Sequence, residues 1–151
     1  MKALASALGK GRVVLDTMFW IYLFEDDPRY GAICQEIANR VSAGRFRAVV
    51  TPVTVAELLV KPIEKNRPDI ADRYRNSLES LEHVDRMPVT FETGCLAGAL
   101  RAKYGLPLPD MIQAACALTA SDPVLLTNDK ALRRVTELRV LLLDDLRKEY
   151  G

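Results

Sequence analysis

Val13-Val14-Leu15-Asp16-Thr17 is the stretch whose reading decides the fold. Three consecutive apolar residues, two of them β-branched, end abruptly at an acid. That is the pattern of a short strand buried on both faces, with Asp16 standing where the chain leaves the sheet. Working outward, residues 17–25 read as a helix broken by Asp26-Asp27-Pro28. Residues 29–42 carry Ile33, Ile37 and Val41 at helical spacing and stop at Gly44. Residues 46–50 form a second strand, and residues 52–60 a helix that closes near Lys61-Pro62. Residues 66–81 are a charged helix with Pro68 in its first turn, and residues 84–89 a strand interrupted by Asp85, Arg86 and Pro88. Residues 90–104 read as a helix with Phe91, Cys95 and Ala99 on one side, and residues 110–120 as a small-residue helix. Val124-Leu125-Leu126 and residues 140–143 supply two more buried strands around a short helix at 130–135. Strands alternating with helices predict βαβ units and an α/β fold with a mostly parallel sheet.

The bulk properties narrow the function classes. A chain of 151 residues fits a single domain over 1–151, with residues 1–10 expected as a loose tail. The net charge of +1 leaves no whole-molecule field to draw the protein onto nucleic acid, so such a contact needs a local patch. Cys34, Cys95 and Cys116 lack CxxC spacing and fall in helix-like apolar stretches, where they read as buried free thiols of a reducing compartment. The N-terminal residues are too few and too weakly apolar for a secretion signal, and no run approaches the ~20 apolar residues of a membrane span. A cytoplasmic protein without membrane contact is expected.

Four carboxylates carry the chemistry. Asp16 directly follows its strand, and Asp129 follows Val124-Leu125-Leu126 after only Thr127 and Asn128. Glu57 and Asp110 sit near the starts of helices. Ligands of open α/β sheets bind beyond the carboxyl ends of the strands, where parallel strands would gather all four acids. Taken singly, Asp16, Asp110 and Asp129 also suit helix N-caps, and Glu57 suits a solvated helix face. Together they are costly to ionise, and helix N-termini offset that cost only in part. A divalent cation is the simplest compensation, and a carboxylate-bound Mg²⁺ or Mn²⁺ beside an open cleft suits phosphodiester hydrolysis.

The constellation resembles the PIN-domain family, specifically the VapC-like ribonuclease toxins of type II toxin–antitoxin pairs. The resemblance rests on Val13-Val14-Leu15-Asp16-Thr17, Thr51-Pro52-Val53-Thr54-Val55-Ala56-Glu57-Leu58-Leu59, Leu106-Pro107-Leu108-Pro109-Asp110 and Leu126-Thr127-Asn128-Asp129. It implies a three-layer α/β/α, Rossmann-like domain and a Mg²⁺- or Mn²⁺-dependent endoribonuclease. The family's acids map onto Asp16, Glu57, Asp110 and Asp129 as catalytic residues and metal ligands. Its polar helpers map onto Thr17 and onto Thr127 or Asn128. RNA as substrate, a small antitoxin laid across the cleft, and a homodimer through helical surfaces are further implications. Two positions depart from the family pattern: Met18 stands where many members have Asn or Ser, and Met111 stands where a small residue often follows the third Asp, which would narrow the cleft.

Lys61, Lys65, Arg67 and Arg73, with Arg75, form a basic stretch after the Glu57 helix suited to steering a phosphate backbone, and Arg101 with Lys103 forms a second group. A solvated helix paired to Glu64, Asp69, Asp72 and Glu79 is the alternative. The aromatic run Phe19-Trp20-Ile21-Tyr22-Leu23-Phe24 suits the core, with part available to an antitoxin groove, and Gly94 and Gly98 suit close helix packing. Two rivals remain: a phosphoacceptor or dehalogenase-like phosphatase of related topology, and a non-catalytic RNA- or protein-binding PIN-fold module. The phosphatase pattern needs a second acid at position 18, which is Met. His83, the only histidine, reads as a boundary residue, and no Gly-x-Ser-x-Gly elbow occurs.

Overall fold

The computed structural model describes residues 2–120 and 123–150. Its sheet contains β1 (Arg12–Leu15), β2 (Arg47–Val50), β3 (Val84–Arg86), β4 (Val124–Thr127) and β5 (Arg139–Leu142), in the order β3-β2-β1-β4-β5. Every neighbouring pair is parallel. The chain steps outward from β1 in both directions, so the strand order reverses between β1 and β4. This switch point opens a crevice at the carboxyl ends of those two strands. Leu15 lies opposite Leu126, and the Asp16 amide donates to the Leu126 carbonyl at 2.9 Å, so Asp16 emerges at the crevice.

Among the described residues eight helices cover the sheet: α1 (Lys2–Leu8), α2 (Thr17–Phe24), α3 (Gly31–Ser42), α4 (Pro52–Glu64), α5 (Pro68–Ser80), α6 (Phe91–Tyr104), α7 (Leu108–Leu118) and α8 (Leu143–Tyr150), with a 3-10 helix at Lys130–Arg134. Because strand side chains alternate, the central strands β1, β2 and β4 feed two cores. Val13, Leu15, Ala48, Val50, Val124 and Leu126 pack with residues of α1, α2, α3 and α8. Val14, Val49 and Leu125 pack on the other face with Ala97, Leu100, Met111 and Ala114. The result is the expected three-layer α/β/α arrangement. Among the described residues no helix is long and apolar enough to cross a membrane.

Several expectations are corrected. Residues 2–8 are not a loose tail: they form α1, and Leu4 and Leu8 are fully buried where the helix packs against α8. Truncating Leu4 to Ala is expected to cost about 2–4 kcal/mol. For a chain of this size, thermal unfolding should then move down by roughly 5–15 °C. An unchanged melting point would mean α1 does not contribute to the core. The helix of residues 52–60 does not close at Pro62 but runs to Glu64, with the Pro62 ring buried in the interior. Packing of the ring outweighs the one helical hydrogen bond that Pro removes. Cys95 is exposed rather than buried, on the side it shares with Phe91 and Ala99, because α6 turns Thr93, Ala97 and Leu100 to the core. Met111 is also fully buried, in the second core, and does not narrow the crevice.

Candidate active site

Asp16 ends β1 and caps α2, its Oδ1 accepting the Thr17 amide at 2.9 Å. Although almost entirely buried, its carboxylate is well supplied with donors: Oδ1 also accepts from Gln113 Nε2 at 3.2 Å, and Oδ2 accepts from the Thr127 hydroxyl at 2.7 Å. A carboxylate offers about four acceptor positions, so these three bonds leave one open, on Oδ2.

Each of the other acids reaches the crevice from a different element. The Thr51-Pro52 step starts α4 directly after β2, and Glu57 lies one turn in, its Oε1 accepting from the Thr17 hydroxyl at 2.8 Å. Gly105, at φ 69°, ends α6 in a left-handed turn that leads through Leu106-Pro107 into α7. Asp110 therefore sits inside the first turn of α7 rather than at its cap, since the helix begins at Leu108. Asp129 caps the 3-10 helix through the Ala131 amide at 3.0 Å, while its own amide donates to Thr127 Oγ1 at 3.1 Å.

Asp110 is close enough to Asp16, Asp129 and Glu57 to feel their charges. Burial, followed by the charges of Asp16, Asp129 and Glu57, pushes the Asp110 carboxyl up to about 6. Even so, no group of three acidic, histidine or thiol side chains among the described residues stands ready-made to hold a metal ion. Asp16, Glu57 and Asp129 are held by hydrogen bonds to the protein, and Asp110 lies within Coulomb range of all three.

A buried polar web lies beneath them. Gln113 Nε2 donates to Thr54 Oγ1 at 2.7 Å as well as to Asp16, and Gln113 Oε1 accepts from the Thr51 hydroxyl. That bond turns Thr51 away from capping α4. The Thr17 hydroxyl also lies 3.2 Å from Thr54 Oγ1. Sequence reading missed Gln113, Thr54 and Thr51 as site residues. The available signal was Gln113 as the lone polar residue in Met111-Ile112-Gln113-Ala114-Ala115-Cys116-Ala117, one turn beyond Asp110, and Thr54 one turn before Glu57.

The remaining candidates divide. Thr17 and Thr127 join the acids. Asn128 turns away, its Oδ1 accepting the Asp144 amide at 3.1 Å and its Nδ2 lying 3.4 Å from the Tyr22 hydroxyl. Met18 is exposed in the first turn of α2. Lys61, Lys65 and Arg67 line a cleft of about 230 Å³ that begins at Glu57 and runs between α2, α4 and α5. Arg67 is paired with Asp69 at 2.9 Å and Arg75 with Glu79 at 3.0 Å, as the solvated-helix alternative expects. Arg73 is exposed on α5 outside the cleft. Arg101 is committed to the Leu106 carbonyl at 3.1 Å and Lys103 to Glu137 at 3.4 Å. His83 lies before β3, at the opposite end of the sheet from the acids.

A doubly wound parallel sheet whose switch point gathers carboxylates defines a class of acid-centred α/β domains. Within that class the PIN domain pattern matches residues 13–138, and the chain belongs to the PIN-domain family. No curated protein matches it in sequence. Among solved structures, a chain of VapBC2 from Rickettsia felis bound to a promoter DNA fragment is similar, with TM-score 0.68 at 15% identity over 87% of this chain and 98% of that one. A chain of a toxin–antitoxin complex from Klebsiella pneumoniae has TM-score 0.66 at 22% identity, covering 87% and 97%. A chain of VapBC-1 from nontypeable Haemophilus influenzae has TM-score 0.65 at 25% identity, covering 88% and 98%.

Proposed function

We propose that this protein is a metal-dependent endoribonuclease, the toxin of a toxin–antitoxin pair. The observation that carries the reading is the convergence of Asp16, Glu57, Asp110 and Asp129 at one switch point, with Asp16 buried and fixed by three donors. The donor set is four carboxylates, the hard oxygen ligands that suit Mg²⁺ or Mn²⁺. Burial, and then the three neighbouring acids, raise the Asp110 carboxyl, and a divalent cation there would favour its ionised form.

Asp16 and Asp110 are the first choices for direct ligands, with Glu57 and Asp129 completing the set directly or through water. Held there, such an ion would supply a more acidic bound water and positive charge opposite the scissile phosphate. The chain's own contribution is orientation. Thr127 holds Asp16 Oδ2 while accepting the Asp129 amide, and Thr17 holds Glu57 while its amide holds Asp16. Such supports keep these acids in place. In-line attack by water on the phosphate would leave a 5′-phosphate and a 3′-hydroxyl.

The similar structures are toxin–antitoxin complexes, which supports a small antitoxin as partner. Exposed Phe91, Val60, Ile63 and Leu108, together with an apolar groove of about 630 Å³ lined in part by Val55, Leu59, Met87 and Pro88, supply surface for protein contacts, a homodimer included. The free thiols Cys34, Cys95 and Cys116 suit work in a reducing cytoplasm.

The test incubates the purified protein with labelled total RNA in Mg²⁺, in Mn²⁺ and in EDTA. Discrete fragments that require a divalent ion are expected. Equal cleavage in EDTA, or no cleavage together with no Mg²⁺ or Mn²⁺ binding by calorimetry, overturns the reading and favours a non-catalytic binding module.

A further inference from the structure

The cleft beside Glu57 has a composition that the carboxylate chemistry does not use. Its walls combine Ile21, Ile70 and Tyr74 with the cationic side chains of Lys61, Lys65 and Arg67. The Tyr74 ring is backed by Phe24, stacked at 5.0 Å with an interplanar angle of 18°, so its position is fixed by packing. Arg67 is paired with Asp69, whereas Lys61 and Lys65 make no ion pair among the described residues. Glu25 and Glu57 are the acids of the lining, and Glu57 is tied to Thr17.

We propose that this cleft is a nucleotide subsite of the RNA substrate. It holds the nucleoside next to the scissile phosphate against Tyr74, Ile21 and Ile70, and the adjoining phosphates on Lys61 and Lys65. The proposal rests on the ribonuclease reading and adds the place where the strand is gripped. Three features support it. Glu57 and Lys61 on α4 and Lys65 at its C-cap recur every four residues, so the two ammonium groups follow the acid at steps of ~6 Å. That spacing lets an extended strand leave the acids and meet one cation per step. A volume of about 230 Å³ beside a rigid aromatic ring accommodates a nucleobase, and stacking on such a ring contributes about 1–3 kcal/mol per base without demanding a sequence. The cations also answer the charge problem of the site. With a net charge of only +1 and four acids in the crevice, a polyanion needs nearby ammonium groups that are not neutralised by neighbours.

The experiment measures binding without turnover. Fluorescence anisotropy with a labelled single-stranded RNA octamer in Mg²⁺ compares Asp110→Asn with the same protein also carrying Lys61→Ala and Lys65→Ala, and with one also carrying Tyr74→Leu. The lysine pair should weaken binding about tenfold or more and lower the slope of log Kd against log salt by roughly 1.4. Tyr74→Leu should weaken binding about fivefold or more with the salt slope unchanged. Lys61 and Lys65 are exposed, so their removal does not threaten the fold. Affinity and salt slope equal to the parent in the lysine variant overturn the subsite, even where wild-type protein cleaves RNA in a metal-dependent way. Conversely, loss of binding in these variants, alongside a wild-type protein that cleaves no RNA, would retain the subsite and remove the nuclease reading.

Discussion

Asp110→Asn should slow RNA cleavage roughly a thousandfold or more and yet raise the melting temperature of the metal-free protein at pH 7. Both effects come from one charge. Asp110 sits half-buried among Asp16, Asp129 and Glu57, and its carboxyl is pushed up to about 6, whereas an unfolded chain would titrate near ~3.9. Between those values the folded state holds a proton that the unfolded state has released. The contribution of Asp110 to stability is therefore fully present below about pH 4 and is lost as pH rises through about 6. Asparagine carries no such penalty, so the variant's advantage should grow from pH 4.5 to 6.5 and level off above. After discounting for solvent screening at a partly exposed group, a gain of roughly 1 kcal/mol is expected at pH 7, or about 2–4 °C. Calorimetric melts in EDTA across that pH range provide the measurement. A variant that melts lower than wild type at pH 7 would show that the acids do not strain one another. Binding of Mg²⁺ by wild type should tighten over the same window, because an ion competes with the Asp110 proton.

Gln113→Leu should reduce both stability and activity by acting on Asp16 from behind. The substitution keeps side-chain bulk but removes the amide that serves Asp16, Thr54 and Thr51 at once. All three partners are buried, so each loses a bond that water cannot readily replace. A loss of about 2–4 kcal/mol, or roughly 5–15 °C, is expected in thermal unfolding. Cleavage should fall about 10–100-fold, the usual size of effect for a group that orients a ligand rather than reacting. A Mn²⁺ titration separates the two roles: weaker ion binding in the folded variant shows that Gln113 positions Asp16. Wild-type stability and wild-type ion affinity would mean the web beneath the acids is not formed.

Much of this was written locally in the chain. Val13-Val14-Leu15-Asp16 and Val124-Leu125-Leu126 before Asp129 mark buried strands that end in acids, because a strand covered on both faces must be apolar until it leaves the sheet. Pro52 and Pro68 fix helix starts, and Gly105 fixes a stop. Elsewhere local pattern was silent or misleading. Lys2–Leu8 is too short to declare itself a helix, and it is ordered by docking on α8. In α6, small residues occupy both sides, so periodicity could not choose between the Cys95 side and the Ala97 side, and contact with α7 made the choice.

The site divides along the same line. The sequence by itself determined the strand–helix alternation, the acids at element ends and their order along the chain, since those depend on backbone preference and burial over a few residues. Only the tertiary structure decided that β4 lies beside β1 rather than at an edge. It also decided that Gln113 reaches Asp16, that Asn128 faces α8 instead, and that Lys61 and Lys65 share a cleft with Tyr74. The physical reason is separation along the chain. Asp16 and Gln113 are 97 residues apart, and their contact is set by sheet register and helix packing that no short window of sequence encodes.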